Sequence, residues 1–165
     1  MLVRMMRSTA LLLILMLATV FSSVAQTTAP KQEKPMSHHA AGTFEVKMLP
    51  LPDKDDGLKR YGSEKQIHGG LEATSKGEMI AAGDLKTGNA GYAAMEMVTG
   101  TLDGKHGSFA LQHLATMIGG VPEMKVIVTP GSGTGELQGL AGTFTIIVEG
   151  GKHSYIFDYT LPDGK

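Results

Sequence analysis

Hydrophobic and polar residues alternate along most of the chain from residue 42 onward. In the first such segment Phe44, Val46 and Met48 alternate with polar neighbours, and the last segment shows the same two-residue repeat. This repeat places successive side chains on opposite faces of a β-strand. No segment keeps a 3.6-residue repeat for three helical turns, so the pattern predicts an all-β domain of about eight strands.

The first 25 residues follow a different pattern, which predicts a signal peptide. Two arginines precede an apolar run at about residues 10–21, and Ser23-Val24-Ala25 provides small residues before a cleavage site. The run is short for a membrane span, and no stop-transfer pattern follows it. We therefore expect an exported protein, periplasmic or secreted, with no stable membrane insertion after cleavage. An uncleaved anchor is the alternative.

Residues 26–41 are polar, contain two prolines and show no periodicity, as is typical of a flexible linker. The predicted organisation is a signal peptide at 1–25, a linker at 26–41 and a single β-barrel domain at 42–165. His38-His39 falls in the linker. We interpret it as a solvated pair in a mobile segment rather than as a metal site.

Charge and cysteine content narrow the range of functions. Loss of residues 1–25 changes the formal net charge from −1 to −3, because it removes two arginines and no acidic residue. This balance argues against nucleic acid as a partner, since binding phosphates requires a basic face. The chain has no cysteine, which excludes lipoprotein attachment and means that the domain relies on its hydrophobic core rather than on disulfides.

Two glycine-rich segments share one pattern. GTLDGKHGSF at residues 100–109 and GELQGLAGTF at residues 135–144 both fit G-x-L-x-G-x-x-G-[ST]-F. We predict that each forms a β-hairpin in which the leucine ends one strand and the aromatic residue starts the next. Asp103-Gly104 favours a type I′ turn, because both central residues of that turn have positive φ. A phosphate-binding loop is not indicated, since the spacing to Lys105 is too short and no helix follows.

The runs VTGTLDGKHGSFALQH and VTPGSGTGELQGLAGTF resemble a bacterial family of unknown function. The fold of that family is related to plant allene oxide cyclase and, more loosely, to dirigent proteins. The resemblance extends over about residues 42–163 and implies an eight-stranded antiparallel β-barrel of calycin-like architecture. It implies no reaction, because cyclase activity belongs to a distant relative. Relatives in the superfamily oligomerise, so a homodimer or homotrimer is one expectation.

The interior of an eight-stranded barrel either is filled by side chains or holds one small ligand. The apolar segment after the first glycine motif predicts an apolar mouth, lined by Leu114, Met117, Ile118 and Met124. The residues that contact a ligand depend on which face of the strand around residue 96 points inward. One face offers Tyr92, Glu96 and Phe109, and the other offers Met95, Met97 and Gln112. The sequence does not choose between the faces, so both sets are candidates.

Glu96 is the first candidate for chemistry, and Glu78 and His113 are the others. If Glu96 faces inward, we expect burial in an apolar cavity to raise its pKa. It would then be able to move a proton or bind the polar end of a ligand. For Glu78 the favoured interpretation is a solvated charge beside a turn.

The turn at Asp103-Gly104 brings the strand with His113 beside the strand with Glu96. If Leu102 faces Lys105, then Glu96 faces Leu111, and His113 is its diagonal neighbour on the same face. Gln112 then faces Met95 on the opposite side of the sheet. A bulge at Gly107 would shift this register by one residue, and the alternative to a couple is that Glu96 and His113 never touch.

Other catalytic templates are not supported. The chain has no cysteine nucleophile and no serine in a G-x-S-x-G elbow, and its histidines lack the short spacing of a zinc site. We therefore expect no metal and no cofactor. The leading hypothesis is a barrel that binds a small apolar or lipid-like molecule in its interior. The alternatives are an isomerase or cyclase acting on a lipid-like substrate, and a filled barrel that acts as a structural or oligomerising module. Whether the chain is an enzyme stays open.

Overall fold

A computed structural model of the chain describes residues 36–52, 54–84 and 86–162. Within these ranges eight antiparallel strands form one closed barrel, in which each strand pairs with its sequence neighbours and the last pairs with the first. The all-β, eight-stranded prediction is confirmed. The strands are β1 (Ser37–Pro50), β2 (Lys59–Gly69), β3 (Leu71–Asp84), β4 (Asn89–Leu102), β5 (Lys105–Ile118), β6 (Val121–Val128), β7 (Ala141–Glu149) and β8 (Lys152–Thr160).

Strand β1 begins before the predicted domain boundary. Ser37 pairs with Thr160, and the pairing with β8 continues without interruption past residue 42. The His38 ring stacks on Tyr159 with 5.2 Å between centroids, and His39 Nδ1 lies 2.9 Å from a carboxylate oxygen of Asp158. The interpretation of this pair as part of a mobile linker is therefore wrong, because the strand pairing fixes its backbone.

The predicted signal peptide at 1–25 and the linker residues up to 35 lie outside the described residues. Within the described ranges, no helix has the length and apolar character needed to cross a membrane.

The first glycine motif forms the predicted hairpin between β4 and β5. Asp103 and Gly104 have φ of 46° and 83°, as a type I′ turn requires. Leu102 pairs with Lys105, and Gly100 pairs with Gly107 without a bulge. The predicted register along β4 and β5 is thereby confirmed.

The second glycine motif does not form a hairpin, contrary to the prediction. Residues Gly135–Leu137 form a short 3₁₀ helix, and β7 begins only at Ala141. The Thr134 backbone amide donates to the Ser108 carbonyl oxygen over 2.8 Å, which holds this segment against β5. Leu137 is fully buried, so burial of this leucine in the core outweighs continuation of a strand.

The core fills the end of the barrel near the β4–β5 turn. Phe144 stacks on Tyr155 with 4.7 Å between ring centroids, and Phe157 contacts Phe109, Phe144 and Tyr159. The Tyr155 hydroxyl accepts a hydrogen bond from the Leu71 amide over 3.0 Å. Aromatic packing therefore closes this end, and any space for a ligand lies toward the other end.

Candidate functional site

The inward face of β4 is the one that carries Tyr92, Glu96 and Val98. Glu96 is 3% exposed, whereas Met95 and Met97 are each 51% exposed on the outer surface. The same alternation on β5 places His113 inside and Gln112 outside. The predicted candidates thus divide between the faces. Tyr92, Glu96, Phe109 and His113 point inward, and Glu78, Met95, Met97 and Gln112 point outward.

Four neighbouring strands each contribute one side chain to a buried polar cluster. Lys65 Nζ of β2 donates to Glu96 Oε2 over 2.5 Å, and Ser75 Oγ of β3 donates to Glu96 Oε1. His113 Nε2 of β5 lies 3.0 Å from Glu96 Oε2. We call Lys65, Ser75, Glu96 and His113 the charged cluster. All four residues are buried, so the carboxylate exchanges water for these partners.

The contact between Glu96 and His113 is electrostatic rather than a well-formed hydrogen bond. Although the two atoms are 3.0 Å apart, His113 Nε2 is enclosed and has no hydrogen-bond partner within the described part of the chain. Nε2 is nevertheless close enough to the carboxylate for the contact to lower the pKa of Glu96. Lys65 also places its ammonium 5.1 Å from the centre of the Phe44 ring, a cation–π contact.

The pKa of Glu96 departs from the sequence prediction. Burial raises the pKa, as predicted, but the contacts with His113 and Lys65 and the hydrogen bond from Ser75 outweigh burial and lower it to about 2. The expected rise is therefore wrong, because Lys65 and Ser75, which the sequence did not reveal, join His113 around the carboxylate. The pKa of Tyr92 is raised, first by burial and then by the negative charge of Glu96.

Sequence reasoning missed Lys65 and Ser75, although a signal was present. Lys65 stands two residues before Ile67, which is 1% exposed, and so shares its inward face on β2. A lysine in the same alternating pattern as buried isoleucine predicts a buried cation that needs an anion. That anion is Glu96, and identifying it requires the register of β2 with β3 and of β3 with β4.

Above the charged cluster, inward side chains follow one order on four strands. Moving toward the open end, each strand has a cluster residue, then a small residue, then a large one. The series are Lys65–Ser63–Tyr61, Ser75–Gly77–Met79, Glu96–Ala94–Tyr92 and His113–Ala115–Met117. Of the four small residues in this layer, Ala115 lines a cavity at the open end of the barrel.

A cavity of about 520 Å³ occupies this end of the barrel. Methionine and tyrosine side chains form most of its inner wall. Ala115 and Met124, which also line the cavity, lie in the layer directly above the charged cluster. The inward residues that line it include Met48, Tyr61, Met79, Ala81, Tyr92, Ala115, Met117 and Met124. Of the predicted mouth residues, Met117 and Met124 line the cavity. Leu114 and Ile118 do not, since they are 63% and 73% exposed on the outer surface.

Phe109 lies away from this cavity. It is 1% exposed, packs on Phe157 with 5.8 Å between ring centroids, and belongs to the closed core below the charged cluster. Its predicted contact with a ligand therefore has no support from its position.

A second depression, of about 590 Å³, lies on the outer surface. Met95, Met97 and Glu78 line it together with Leu49 and Leu51. Glu78, Met95 and Met97 therefore share this depression, which Glu96 also lines, whereas Gln112 does not line it. Within the described ranges, no group of three or more acidic or histidine side chains is arranged to hold a metal ion.

Comparison with known proteins identifies relatives by sequence and structure. A family model described as protein of unknown function (DUF3224) matches residues 40–159. The crystal structure of a protein of unknown function from the DUF3224 family of Shewanella oneidensis MR-1 is similar, with 40% sequence identity and a TM-score of 0.72. The match covers 78% of this chain and 100% of that chain. Among curated proteins, none matches this sequence.

Proposed function

The chain belongs to the DUF3224 family, whose function is unknown, and we propose that it binds a small, largely apolar molecule in the open end of its barrel. The observation that carries the proposal is the cavity of about 520 Å³ above the charged cluster. This volume lies within the usual range of about 300–1,000 Å³ for small-molecule sites.

The chemistry of the wall supports an apolar ligand. Met48, Met79, Met117 and Met124 contribute flexible, polarisable thioethers, which adapt to the shape of an apolar guest. Tyr61 and Tyr92 add aromatic surface with a polar tip. A predominantly apolar pocket with few polar groups at one end binds and orients a molecule that has one polar end.

The charged cluster supports binding rather than catalysis. A proton-transfer catalyst for neutral pH requires a group whose pKa lies near the working pH. The partners of Glu96 lower its pKa to about 2, so it is ionised and weakly basic at neutral pH. The isomerase or cyclase alternative therefore gains nothing from this carboxylate.

Titration with the uncharged fluorescent probe N-phenyl-1-naphthylamine tests the proposal. We expect saturable binding of one probe, and we expect Met79→Ala to weaken it about fivefold or more, because about 1 kcal/mol of apolar contact is lost. Met97→Ala is the matched control, since Met97 is on the outer face of the same sheet.

The alternatives give different results. A filled structural barrel would bind no probe. If Met97→Ala weakened binding and Met79→Ala did not, the outer depression would be the binding site and the proposal would be overturned.

A further inference from the structure

The charges around the cavity cancel at both of its ends. Below the cavity, outside the residues that line it, the Lys65 ammonium is 2.5 Å from the Glu96 carboxylate. At the rim, two lysines and two acidic residues line the opening; they are Lys59, Lys86, Asp84 and Glu123. Neither end therefore has an excess of fixed charge that would attract a charged ligand.

The hydrogen-bonding groups of the cavity wall are not balanced in the same way. Each oxygen of Glu96 already accepts a hydrogen bond, from Lys65 or from Ser75, and Glu96 is not among the residues that line the cavity. Donors remain. The Tyr92 hydroxyl lines the cavity and, within the described part of the chain, donates only to the Met124 thioether over 3.6 Å. Because a thioether is a weak acceptor, a ligand oxygen would replace it with a gain in free energy.

From these two observations we infer that the ligand is uncharged and carries a hydrogen-bond-accepting oxygen, such as a carbonyl, at the end that reaches Tyr92. The inference rests on the proposed function and specifies the class of molecule that the cavity selects. The apolar remainder of the ligand contacts the methionines, and its oxygen accepts from the Tyr92 hydroxyl.

Competition against N-phenyl-1-naphthylamine tests this selectivity with three compounds of one carbon skeleton: butylbenzene, butyrophenone and 4-phenylbutanoate. We expect the ketone to bind about 2- to 10-fold more tightly than the hydrocarbon, because one net hydrogen bond lowers Kd by about that factor. The carboxylate should bind most weakly. In Tyr92→Phe the ketone should bind no better than the hydrocarbon, whereas Met97→Ala, on the outer face of β4, should keep the difference. Tyr61→Phe tests the other phenol of the cavity.

The outcomes separate this inference from the proposed function. If none of the compounds displaces the probe and the probe itself does not bind, both are overturned. If the hydrocarbon binds as tightly as the ketone, or the carboxylate binds best, the cavity binds ligands but the inferred class is wrong. If Tyr61→Phe removes the advantage of the ketone and Tyr92→Phe does not, the assignment of the donor is wrong.

Discussion

At the level of single residues, Glu96 makes the stability of the fold depend on pH. Its pKa is about 2 in the folded chain, against an ordinary value of 4.5. A carboxylate with a lowered pKa stabilises the folded state fully above the unfolded pKa and loses that contribution as the pH falls through the folded pKa. The lowered pKa corresponds to about 3 kcal/mol, which should disappear between about pH 5 and pH 2.

Urea unfolding of wild type and Glu96→Gln across this range measures the contribution. At pH 7 the variant should be less stable by about 3 kcal/mol, because it leaves the Lys65 charge buried without its partner. The difference between the two proteins should shrink as the pH falls. Asp56 also has a pKa of about 2, but it is present in both proteins and cancels in the comparison. Glu78→Gln is the control, because Glu78 is exposed. A constant difference at every pH would contradict the assignment.

At the level of elements, the segment before β7 is held by its close approach to β5. A Cβ added to Gly107 would lie 2.2 Å from the Thr134 carbonyl oxygen, a distance that the backbone cannot accommodate without moving. We expect Gly107→Ala to cost about 1–3 kcal/mol through this clash, with added loss if Leu137 leaves the core. Thermal or urea unfolding measures the cost.

Gly104→Ala separates this clash from the ordinary effect of adding a side chain. Gly104 has positive φ but open space around its Cβ position, so its substitution should cost about 1 kcal/mol from backbone strain alone. If both variants lost the same stability, close approach would not explain Gly107.

The glycine motifs show how far sequence reasoning reaches at this scale. The β4–β5 hairpin followed from Asp103-Gly104, because a type I′ turn has a local residue requirement. The register of that hairpin then places His113 diagonally across from Glu96. The second motif has the same spacing but a different structure, because burial of Leu137 is a tertiary effect. The spacing that the two motifs share does not predict the burial of Leu137.

At the level of the whole molecule, alternation and turn residues predicted the closed barrel, since both are local properties of strands. The cavity was not predictable in the same way. Its lining residues come mainly from six strands, β1 to β6, and bringing them together requires the register of every pair between those strands. Lys65 and Ser75 were missed for the same reason. Export, cleavage after residue 25 and oligomerisation stay predictions.

An open cavity in a folded barrel should couple ligand binding to global stability. A ligand that binds only the folded state at about 100 times its Kd adds about 2.7 kcal/mol, which raises Tm by several degrees. Ala81 faces the cavity beside Tyr92, so Ala81→Phe should fill part of the space that a ligand needs. We expect this variant to unfold near the wild-type temperature without ligand and to lose most of the rise in Tm with N-phenyl-1-naphthylamine.

Ala93→Phe provides the matched comparison, because Ala93 is exposed on the outer face of β4 between Ile80 and Leu114. It adds the same side chain without reducing the cavity, so its rise in Tm with the probe should equal that of wild type. Equal loss of the rise in both variants would show that the probe binds outside the barrel. A full rise in Ala81→Phe would show that the open end is not where the stabilising ligand lies. Because both variants add one phenylalanine ring to the same pair of strands, a difference between them reports only on which face the ligand occupies.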